Sequence, residues 1–408
     1  MKKKSVSLVQ VILFFMVLGV LTGLLASSYP TQFNWVIGVA EFFASIFLRL
    51  LKMIIVPLII TSIITGVISI GGKDRFKILG TRAFLYYFGS SLLAISCGLI
   101  LVNIIQPGVG VDIGLKESVE VSPKNLSDMS NIFIRMIPIN FFESASKGDM
   151  LAIIFFCIIF AYFLLQIDDP EKSVLIHIFS GSFQVIMKLT NFVLYFAPLG
   201  IWGIITKLIA SAGLAIFIPL AWYCLCVSLG LLIHGLITLP SLILFFTKSN
   251  PYMFLKQMRM PLLTAFTTSS SSATLPVTMK HIEEKAEVSH KVSRFILPLG
   301  STINMDGTAL YECVAVIFIA QAYGVSLDLS SQIIIVFTAL LASIGAAGVP
   351  MAGLVMMSVV LTAVGLPLEG VGLIIAVDRV LDMLRTTINV WSDSCGALIM
   401  NQFIKDRE

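Results

Sequence analysis

Long apolar runs constrain what this chain can fold into more than any other feature. Three of the longest cover residues 6–26, 151–167 and 221–246. A run of about 18 or more apolar residues can cross the hydrocarbon core of a bilayer as a helix. The chain is 57% hydrophobic and 12% charged, whereas ordinary soluble proteins carry about 25% charged residues. We therefore expect an all-α membrane protein with several spans.

The few charged residues predict how the chain is oriented in the bilayer. Lys2, Lys3 and Lys4 precede the first apolar run, whereas the loop 107–128 is acidic on balance. The positive-inside rule then predicts a cytoplasmic N-terminus and an external loop 107–128. The first run is longer than the core of a signal peptide, so we expect a retained helix. A net charge of +4 is too small to indicate a nucleic-acid partner.

Apolar segments divide the first 250 residues into six predicted membrane helices. These cover residues 6–27, 35–70, 82–106, 149–167, 175–210 and 215–247. Several of the segments exceed about 25 residues, which predicts helices that are tilted or kinked in the bilayer.

After residue 250 two turns rich in small residues alternate with two helices that carry polar residues. In chain order these four features cover residues 252–286, 292–325, 331–365 and 368–402. The spacing repeats, because Ser271 precedes Asn304 by 33 residues and Gly348 precedes Asp382 by 34. Such a duplication favours inverted repeats, each a hairpin entering the membrane partway and a helix broken or decorated at mid-depth.

The last apolar segment places its polar side chains on one face. At about 100° per residue, six of them fall within about 100° of arc. They are Asp378, Asp382, Arg385, Thr386, Asn389 and Asp393. Charge inside a membrane is costly and usually marks a pathway or a binding site. An Asp–Arg pair that only locks two helices together would explain one pair and not the whole face, so we interpret this face as functional.

A second polar surface follows from the stretch NMDGTALYE. Its polar side chains recur at helical spacing, at Asn304, Thr308, Tyr311 and Glu312. Asp306 lies off that stripe beside Gly307, which would let the helix open and expose carbonyl oxygens. Carbonyl, carboxylate and amide oxygens bind hard cations, and the absence of His and Cys from the motif argues against a transition metal. In the third segment, Tyr87, Ser90 and Ser91 share one helical side and alone would indicate only helix packing.

Four motifs resemble the signatures of the glutamate transporter family, the dicarboxylate/amino acid:cation symporters. They are TSSSSATLPVT (268–278), NMDGTALYE (304–312), SIGAAGVP (343–350) and LDMLRTTINVWSD (381–393). They occur in the family's order and spacing, and the similarity covers essentially the whole chain. The resemblance implies eight transmembrane helices, two re-entrant helical hairpins and an elevator-type homotrimer in the cell (inner) membrane, with both termini cytoplasmic.

The resemblance also implies a fixed scaffold and a moving transport domain. The scaffold would comprise residues 1–80 (helices 1 and 2) and 128–213 (helices 4 and 5). The transport domain would comprise residues 81–127 (helix 3 and the outer loop) and 214–408 (helix 6, hairpin 1, helix 7, hairpin 2 and helix 8).

By the same resemblance, Arg385 would hold the side-chain carboxylate of the substrate and Asp382 its α-ammonium group. A planar guanidinium suits this role, because it binds a carboxylate through two parallel hydrogen bonds. The other implied substrate contacts are Thr308, Thr386, Asn389, Ser270, Ser272 and the Val349 backbone.

Three sodium sites are implied in the same way. The first consists of Gly300, Asn304, Asn389 and Asp393. The second consists of Thr302, Met305 and the hairpin carbonyls of Ser343, Ile344 and Ala346. The third consists of Tyr87, Ser90, Ser91, Asn304 and Asp306.

The chain departs from the family's pattern at several positions. Glu312 stands where prokaryotic members often carry Gln, and Glu there is typical of animal members that also move a proton and counter-transport potassium. Members usually carry an arginine where this chain has either Ser269 or Met383, and here Arg379 lies one turn before Met383 instead. Ser392 replaces the usual Gly. These changes bear on ion coupling, including whether H+ and K+ join Na+, more than on substrate class.

The expected function is sodium-coupled uptake of L-glutamate or L-aspartate by alternating access. The alternatives are a symporter of C4-dicarboxylates or of neutral amino acids in the same family, and a channel. Arg385 argues against neutral substrates, Asp382 argues against substrates without an amine, and the hairpins favour a carrier over a pore. An enzyme is not expected, because the run Ser270–Ser272 has no His or Lys base nearby in sequence.

Overall fold

The computed structural model describes residues 8–70, 74–110, 137–147, 149–345 and 352–405. Within these ranges the chain forms helices and short connections without a strand, which confirms the predicted all-α class. The helices are α1 (Leu8–Ser28), α2 (Pro30–Ile70), α3 (Asp74–Ile105), α4 (Phe141–Lys147), α5 (Met150–Leu164), α6 (Glu171–Tyr195), α7 (Ala197–Ala212), α8 (Phe217–Ile233), α9 (Leu239–Thr247), α10 (Pro251–Gln257), α11 (Arg259–Thr268), α12 (Ser271–Lys285), α13 (His290–Ile303), α14 (Asp306–Ala322), α15 (Leu329–Gly345), α16 (Ala352–Ala363) and α17 (Val371–Lys405).

Six helical stretches within the described ranges are long and apolar enough to cross a membrane. They are Gln10–Ser28, Trp35–Ile68, Gly80–Ile105, Glu171–Tyr195, Gly213–Thr247 and His290–Ala322. The first three and the fifth coincide with predicted spans. The fifth is one continuous helical stretch in which α8 and α9 are joined by a π-helical turn, His234–Thr238.

Two of the predicted spans are wrong in detail. The span predicted at 149–167 is α5, which has 15 residues and is about 22 Å long at 1.5 Å per residue, shorter than the hydrocarbon core. The single helix predicted at 175–210 is two helices, α6 and α7, that meet at Phe196. Pro198 lies at the start of α7, where a missing backbone N–H costs no helical hydrogen bond.

The two turns predicted after residue 250 both join helices that pack against each other. In the first, α11 and α12 flank a turn at which Ser269 adopts a left-handed conformation with φ of 51°. In the second, α15 packs against α16, and residues 346–351 of its tip lie outside the described ranges. The predicted contacts from Ala346 and Val349 therefore lie outside them as well.

The predicted break in the helix carrying NMDGT is confirmed. Helix α13 ends at Ile303 and α14 begins at Asp306, and Asn304 between them has non-helical φ and ψ of −93° and 89°. Because the chain leaves the helix here, the polar residues from 304 to 312 do not form the continuous helical stripe that their spacing predicts. Asn304 lies in the break, and only the residues from Asp306 onward belong to α14.

Helix α14 lies at the centre of the fold. Every residue from Asp306 to Ala320 is buried, and α3, α8, α15, α16 and α17 all pack around it. Buried polar groups are costly unless they form hydrogen bonds. The polar side chains of α14 must therefore find partners on the surrounding helices, and many of those partners lie on α17.

Candidate ion and substrate site

The polar face predicted for α17 is buried inside the protein. Its members Asp378, Asp382, Arg385, Thr386, Asn389 and Asp393 are each at most 5% exposed. The face contacts α14, the break before it and, through Arg385, the hairpin helix α16. Charges that are this deeply buried are stable only with partners, so the partners define what the site can bind.

Arg385 lies between two carboxylates and an aromatic ring. Its Nη2 donates to Asp382 Oδ1 at 2.7 Å, and its Nη1 lies 3.2 Å from Asp378 Oδ1. The guanidinium carbon lies 3.8 Å from the centre of the Tyr311 ring, a cation–π contact. Nε and Nη1 have no hydrogen-bond partner among the described residues. Two of the guanidinium nitrogens therefore retain N–H groups that could bind an anionic group.

Helix α16 approaches Arg385 at Gly353. A Cβ atom at this position would lie 2.6 Å from Arg385 Nη1, closer than side-chain atoms normally come. The absence of a side chain therefore lets the backbone of α16 pack directly against the guanidinium. In the same region Tyr311 Oη donates to Asp378 Oδ1 at 2.7 Å, which orients the ring that Arg385 stacks on.

Arg379 reaches the same carboxylate as Arg385. Its Nη1 lies 3.7 Å from Asp382 Oδ2, and its side chain is 18% exposed. Asp382 thus faces two guanidinium groups, one buried and one partly exposed. Arg379 lies one turn before Met383, and Met383 is one of the two positions at which members of the family usually carry an arginine.

Asn304 connects the break before α14 to α17. Its Nδ2 donates to Asp393 Oδ1 and to Ser392 Oγ, both at 2.9 Å. A Cβ on Gly300 would lie 2.4 Å from Asp393 Oδ1, so only glycine leaves room for this carboxylate against the backbone of α13. Three of the four residues predicted for the first sodium site are brought together here.

The fourth residue of that set, Asn389, binds the start of α14 instead. Its Oδ1 accepts from the Gly307 backbone N–H at 2.8 Å, and its Nδ2 donates to Thr308 Oγ1 at 3.2 Å. Met305 Sδ lies 3.3 Å from the same Nδ2. Asn389 therefore fixes the first turn of α14 against α17, next to the break that holds Asn304.

Asp306 is the centre of a second oxygen-rich cluster. Ser91 donates to its Oδ1 at 2.6 Å and Ser90 does so at 3.2 Å, and Ser90 also lies 3.5 Å from Asn304 Oδ1. Four of the five residues predicted for the third sodium site therefore meet. The fifth, Tyr87, donates to Ile296 O at 2.8 Å.

A model of the family described as "Sodium:dicarboxylate symporter family" matches residues 8–403. The chain belongs to this family. Its relatives include "Excitatory amino acid transporter 3" of Mus musculus, 36% identical over 440 residues, which is 95% of this chain and 84% of the relative. "Excitatory amino acid transporter" of Caenorhabditis elegans is 37% identical over 436 residues, 95% of this chain and 86% of the relative. "Neutral amino acid transporter B(0)" of Bos taurus is 38% identical over 402 residues, 90% of this chain and 74% of the relative.

The family and these relatives are transporters, and the apolar helices make this symporter a multi-pass membrane protein. Membership in a sodium:dicarboxylate symporter family implies that transport is coupled to sodium. The oxygen-rich clusters fit that ion, because carboxylate, amide and hydroxyl oxygens are the ligands that hard cations prefer.

Some of the predicted site residues of the symporter lie apart from these clusters. Ser270 caps α12, accepting from the Ala273 backbone N–H at 3.1 Å, and Ser272 is exposed. Thr302 is also exposed, and its hydroxyl donates back to Leu299 O at 2.9 Å. Ser343 is buried at the end of α15. Ala346 and Val349, which were predicted to complete these contacts, lie outside the described ranges.

Glu312 of the symporter is fully buried, one turn after Thr308 on α14. Neither of its carboxylate oxygens has a hydrogen-bond partner within the described ranges. A buried carboxylate with no partner is stable chiefly in its neutral, protonated form.

Besides Ser392, whose Oγ donates to Asp306 Oδ2 at 2.6 Å, sequence reasoning missed a second member of the Asp306 cluster, His234. Its Nε2 lies 3.0 Å from Asp306 Oδ2, and both side chains are completely buried. His234 opens the π-helical turn, whose Gly235 carbonyl accepts from Trp391 Nε1 at 2.9 Å. A lone His in an apolar run gives no signal of its partner, because that partner lies 72 residues away in the chain.

Proposed function

We propose that this protein is a sodium-coupled secondary active symporter that takes up L-aspartate or L-glutamate by alternating access. The observation that carries the proposal is the buried pair Arg385–Asp382, beside the oxygen clusters of Asp306 and Asp393. An acidic amino acid has a side-chain carboxylate and an ammonium group, which match the two members of that pair. Relatives named excitatory amino acid transporters support the same substrate class.

In this proposal the substrate separates the pair. Its side-chain carboxylate takes the place of Asp382 on the Arg385 guanidinium, and its ammonium group binds Asp382. The exchange keeps each buried charge paired, which matters because an unpaired buried charge is strongly destabilising. The rest of the proposed pocket is Thr308, Thr386, Asn389, Ser270, Ser272 and the Val349 backbone.

Sodium is a co-transported substrate, proposed to bind at three places. One ion would bind Gly300, Asn304, Asn389 and Asp393. One would bind Thr302, Met305, Ser343, Ile344 and Ala346. One would bind Tyr87, Ser90, Ser91, Asn304 and Asp306. The shared Asn304, together with Asn389 on the helix that bears Arg385, provides contact between ion sites and substrate site.

The proposed architecture has eight transmembrane helices and two re-entrant hairpins related by inverted repeats. Residues 1–80 and 128–213 would form the scaffold, and residues 81–127 and 214–408 an elevator-like transport domain. The symporter would be a homotrimer in the cell (inner) membrane with both termini cytoplasmic. The exposed apolar surface of α6, where Val174, Ile178 and Val185 are each more than half exposed, supports a lipid or subunit contact there.

Proton and potassium coupling is proposed through Glu312. The carboxylate would be protonated while the site is closed and would lose its proton when the site opens to water. Its burial without a hydrogen-bond partner among the described residues supports the protonated closed form, because an ionised carboxylate would have no compensation there.

A neutral amino acid is the second candidate substrate, favoured by the 38% identity to "Neutral amino acid transporter B(0)". A competition assay separates the candidates. Uptake of labelled aspartate into proteoliposomes is measured with excess unlabelled aspartate, glutamate, serine or succinate. We expect competition by the two acidic amino acids alone. Competition by serine would favour the neutral substrate, and competition by succinate would favour an amine-free dicarboxylate.

A further inference from the structure

The Asp306 carboxylate has four side-chain partners within hydrogen-bond distance. Ser90 and Ser91 donate to Oδ1 at 3.2 and 2.6 Å. Ser392 donates to Oδ2 at 2.6 Å, and His234 Nε2 lies 3.0 Å from the same oxygen. A carboxylate has about four lone-pair positions for hydrogen bonds. The protein itself therefore satisfies this buried group, and a cation must displace or share one of these donors.

Ser392 is held in place more firmly than a free hydroxyl would be. Its Oγ accepts from Asn304 Nδ2 at 2.9 Å. Since the oxygen accepts from the amide, its proton is left to point at Asp306. The other N–H of the same amide donates to Asp393 Oδ1 at 2.9 Å. The four groups are therefore linked in a row, in which Asn304 donates to Asp393 and to Ser392, and Ser392 donates to Asp306.

The two serines on α3 differ from Ser392 in what they can do when sodium arrives. Ser90 and Ser91 are themselves proposed sodium ligands, and each can turn its hydroxyl so that a lone pair faces the ion. Ser392 cannot turn freely without losing its bond with Asn304. The Ser392 hydroxyl therefore keeps donating its hydrogen bond to Asp306 Oδ2. This hydrogen bond reduces the negative charge that the carboxylate presents to a cation.

We infer that the Ser392 hydroxyl is an internal competitor of sodium at Asp306 and lowers the affinity of that site. The inference rests on the proposed role of Asp306 in sodium binding. It makes Ser392 a residue that tunes ion affinity without coordinating the ion. With the Ser392 hydrogen bond in place, the site at Asp306 releases sodium more readily than it would without that bond.

The test measures sodium binding without transport. The purified symporter in detergent, without amino acid, is titrated with NaCl at constant ionic strength, and its thermal unfolding midpoint is followed. Ser392→Ala should lower the half-saturating sodium concentration roughly tenfold, as expected for a lost hydrogen bond to a charged group. Ser392→Gly should do the same. Ser394→Ala is the matched control, because Ser394 is equally buried on α17 but donates to Val390 O at 2.7 Å.

A double-mutant cycle isolates the pairwise effect. In an Asp306→Asn background, Ser392→Ala should leave the sodium dependence unchanged, since its target carboxylate is gone. The inference would be overturned if both Ser392 variants bound sodium no more tightly than the wild type. It would also be overturned if Ser392→Ala tightened sodium binding equally in the Asp306→Asn background. A wild-type protein whose unfolding does not respond to sodium would instead overturn the proposed sodium coupling itself.

Discussion

Arg385 and Asp382 lie one turn apart on α17, and Arg385 Nη2 donates to Asp382 Oδ1 at 2.7 Å. Both side chains are buried, so each neutralises the other in a place where water cannot. A ligand with one negative and one positive group can replace both halves of this pair at once. This relationship explains why the site would favour amino dicarboxylates over molecules with only one of the two charges.

Arg385→Ala should abolish high-affinity aspartate binding. Truncating one partner of a buried charge pair costs about 2–5 kcal/mol, which corresponds to a loss of roughly 30-fold or more in affinity. Aspartate binding to the purified protein measures the loss, and uptake of serine tests whether neutral amino acids are now admitted. The control is Arg294→Ala, which removes an exposed arginine from α13. Unchanged aspartate affinity in Arg385→Ala would remove Arg385 from the pocket.

Asp393→Asn should weaken the sodium dependence of aspartate binding more than it changes substrate preference. The carboxylate accepts from Asn304 at 2.9 Å and lies against Gly300, apart from the Arg385–Asp382 pair. We expect roughly tenfold more sodium to be needed for half-maximal binding, measured by titrating aspartate at several sodium concentrations. Asp328→Asn, at an exposed position before α15, is the control. A shifted preference among amino acids with unaltered sodium dependence would contradict the assignment.

Glu312→Gln should preserve exchange and abolish net uptake. Glutamine resembles the protonated carboxyl group, so the loaded carrier still crosses the membrane, but the empty carrier cannot release a proton to return. Exchange of labelled for unlabelled aspartate and net accumulation are measured in the same proteoliposomes. Glu369→Gln is the control, since that half-exposed side chain lies 3.8 Å from Lys52. If Glu312→Gln and the wild type showed equal net uptake, and the wild type moved no protons, Glu312 would have only a structural role.

Gly307→Ala should destabilise the protein by forcing α14 and α17 apart. A Cβ there would lie 2.6 Å from the Arg385 carbonyl oxygen and 3.0 Å from its Cα, and backbone atoms cannot turn aside. Overpacking of this kind costs about 1–3 kcal/mol. Gly89→Ala on α3 meets no atom within 4 Å and should be neutral or stabilising, because alanine favours a helix. Thermal unfolding in detergent distinguishes the two; equal midpoints would contradict the close packing.

The polar face of α17 and its partners were predictable because helical periodicity acts within one segment. Asp382, Arg385, Asn389 and Asp393 fall on one face whatever surrounds them, and burial of that face against α14 follows from the cost of charge in a membrane. The break at Asn304 was likewise expected from the polar motif with its glycine.

Contacts that depend on the packing of distant segments were not predictable. The proximity of His234 to Asp306 requires the π-helical turn and the approach of α8 to α14, neither of which leaves a periodic signal. The boundary at Phe196 was missed because a proline such as Pro198 is compatible both with a kink within one helix and with the start of a new helix. The exposure of Thr302 depends on how other helices pack against the end of α13, which a local pattern does not determine.

Sodium-driven accumulation of aspartate tests the central claim most directly. Proteoliposomes containing the purified symporter are loaded without sodium, and labelled aspartate is added outside with an inward sodium gradient. Proton and potassium gradients are then imposed one at a time. We expect saturable accumulation above the external concentration that requires the sodium gradient and collapses when a sodium ionophore dissipates it. Aspartate entry that is unaffected by sodium, or that never exceeds equilibration, would contradict the account.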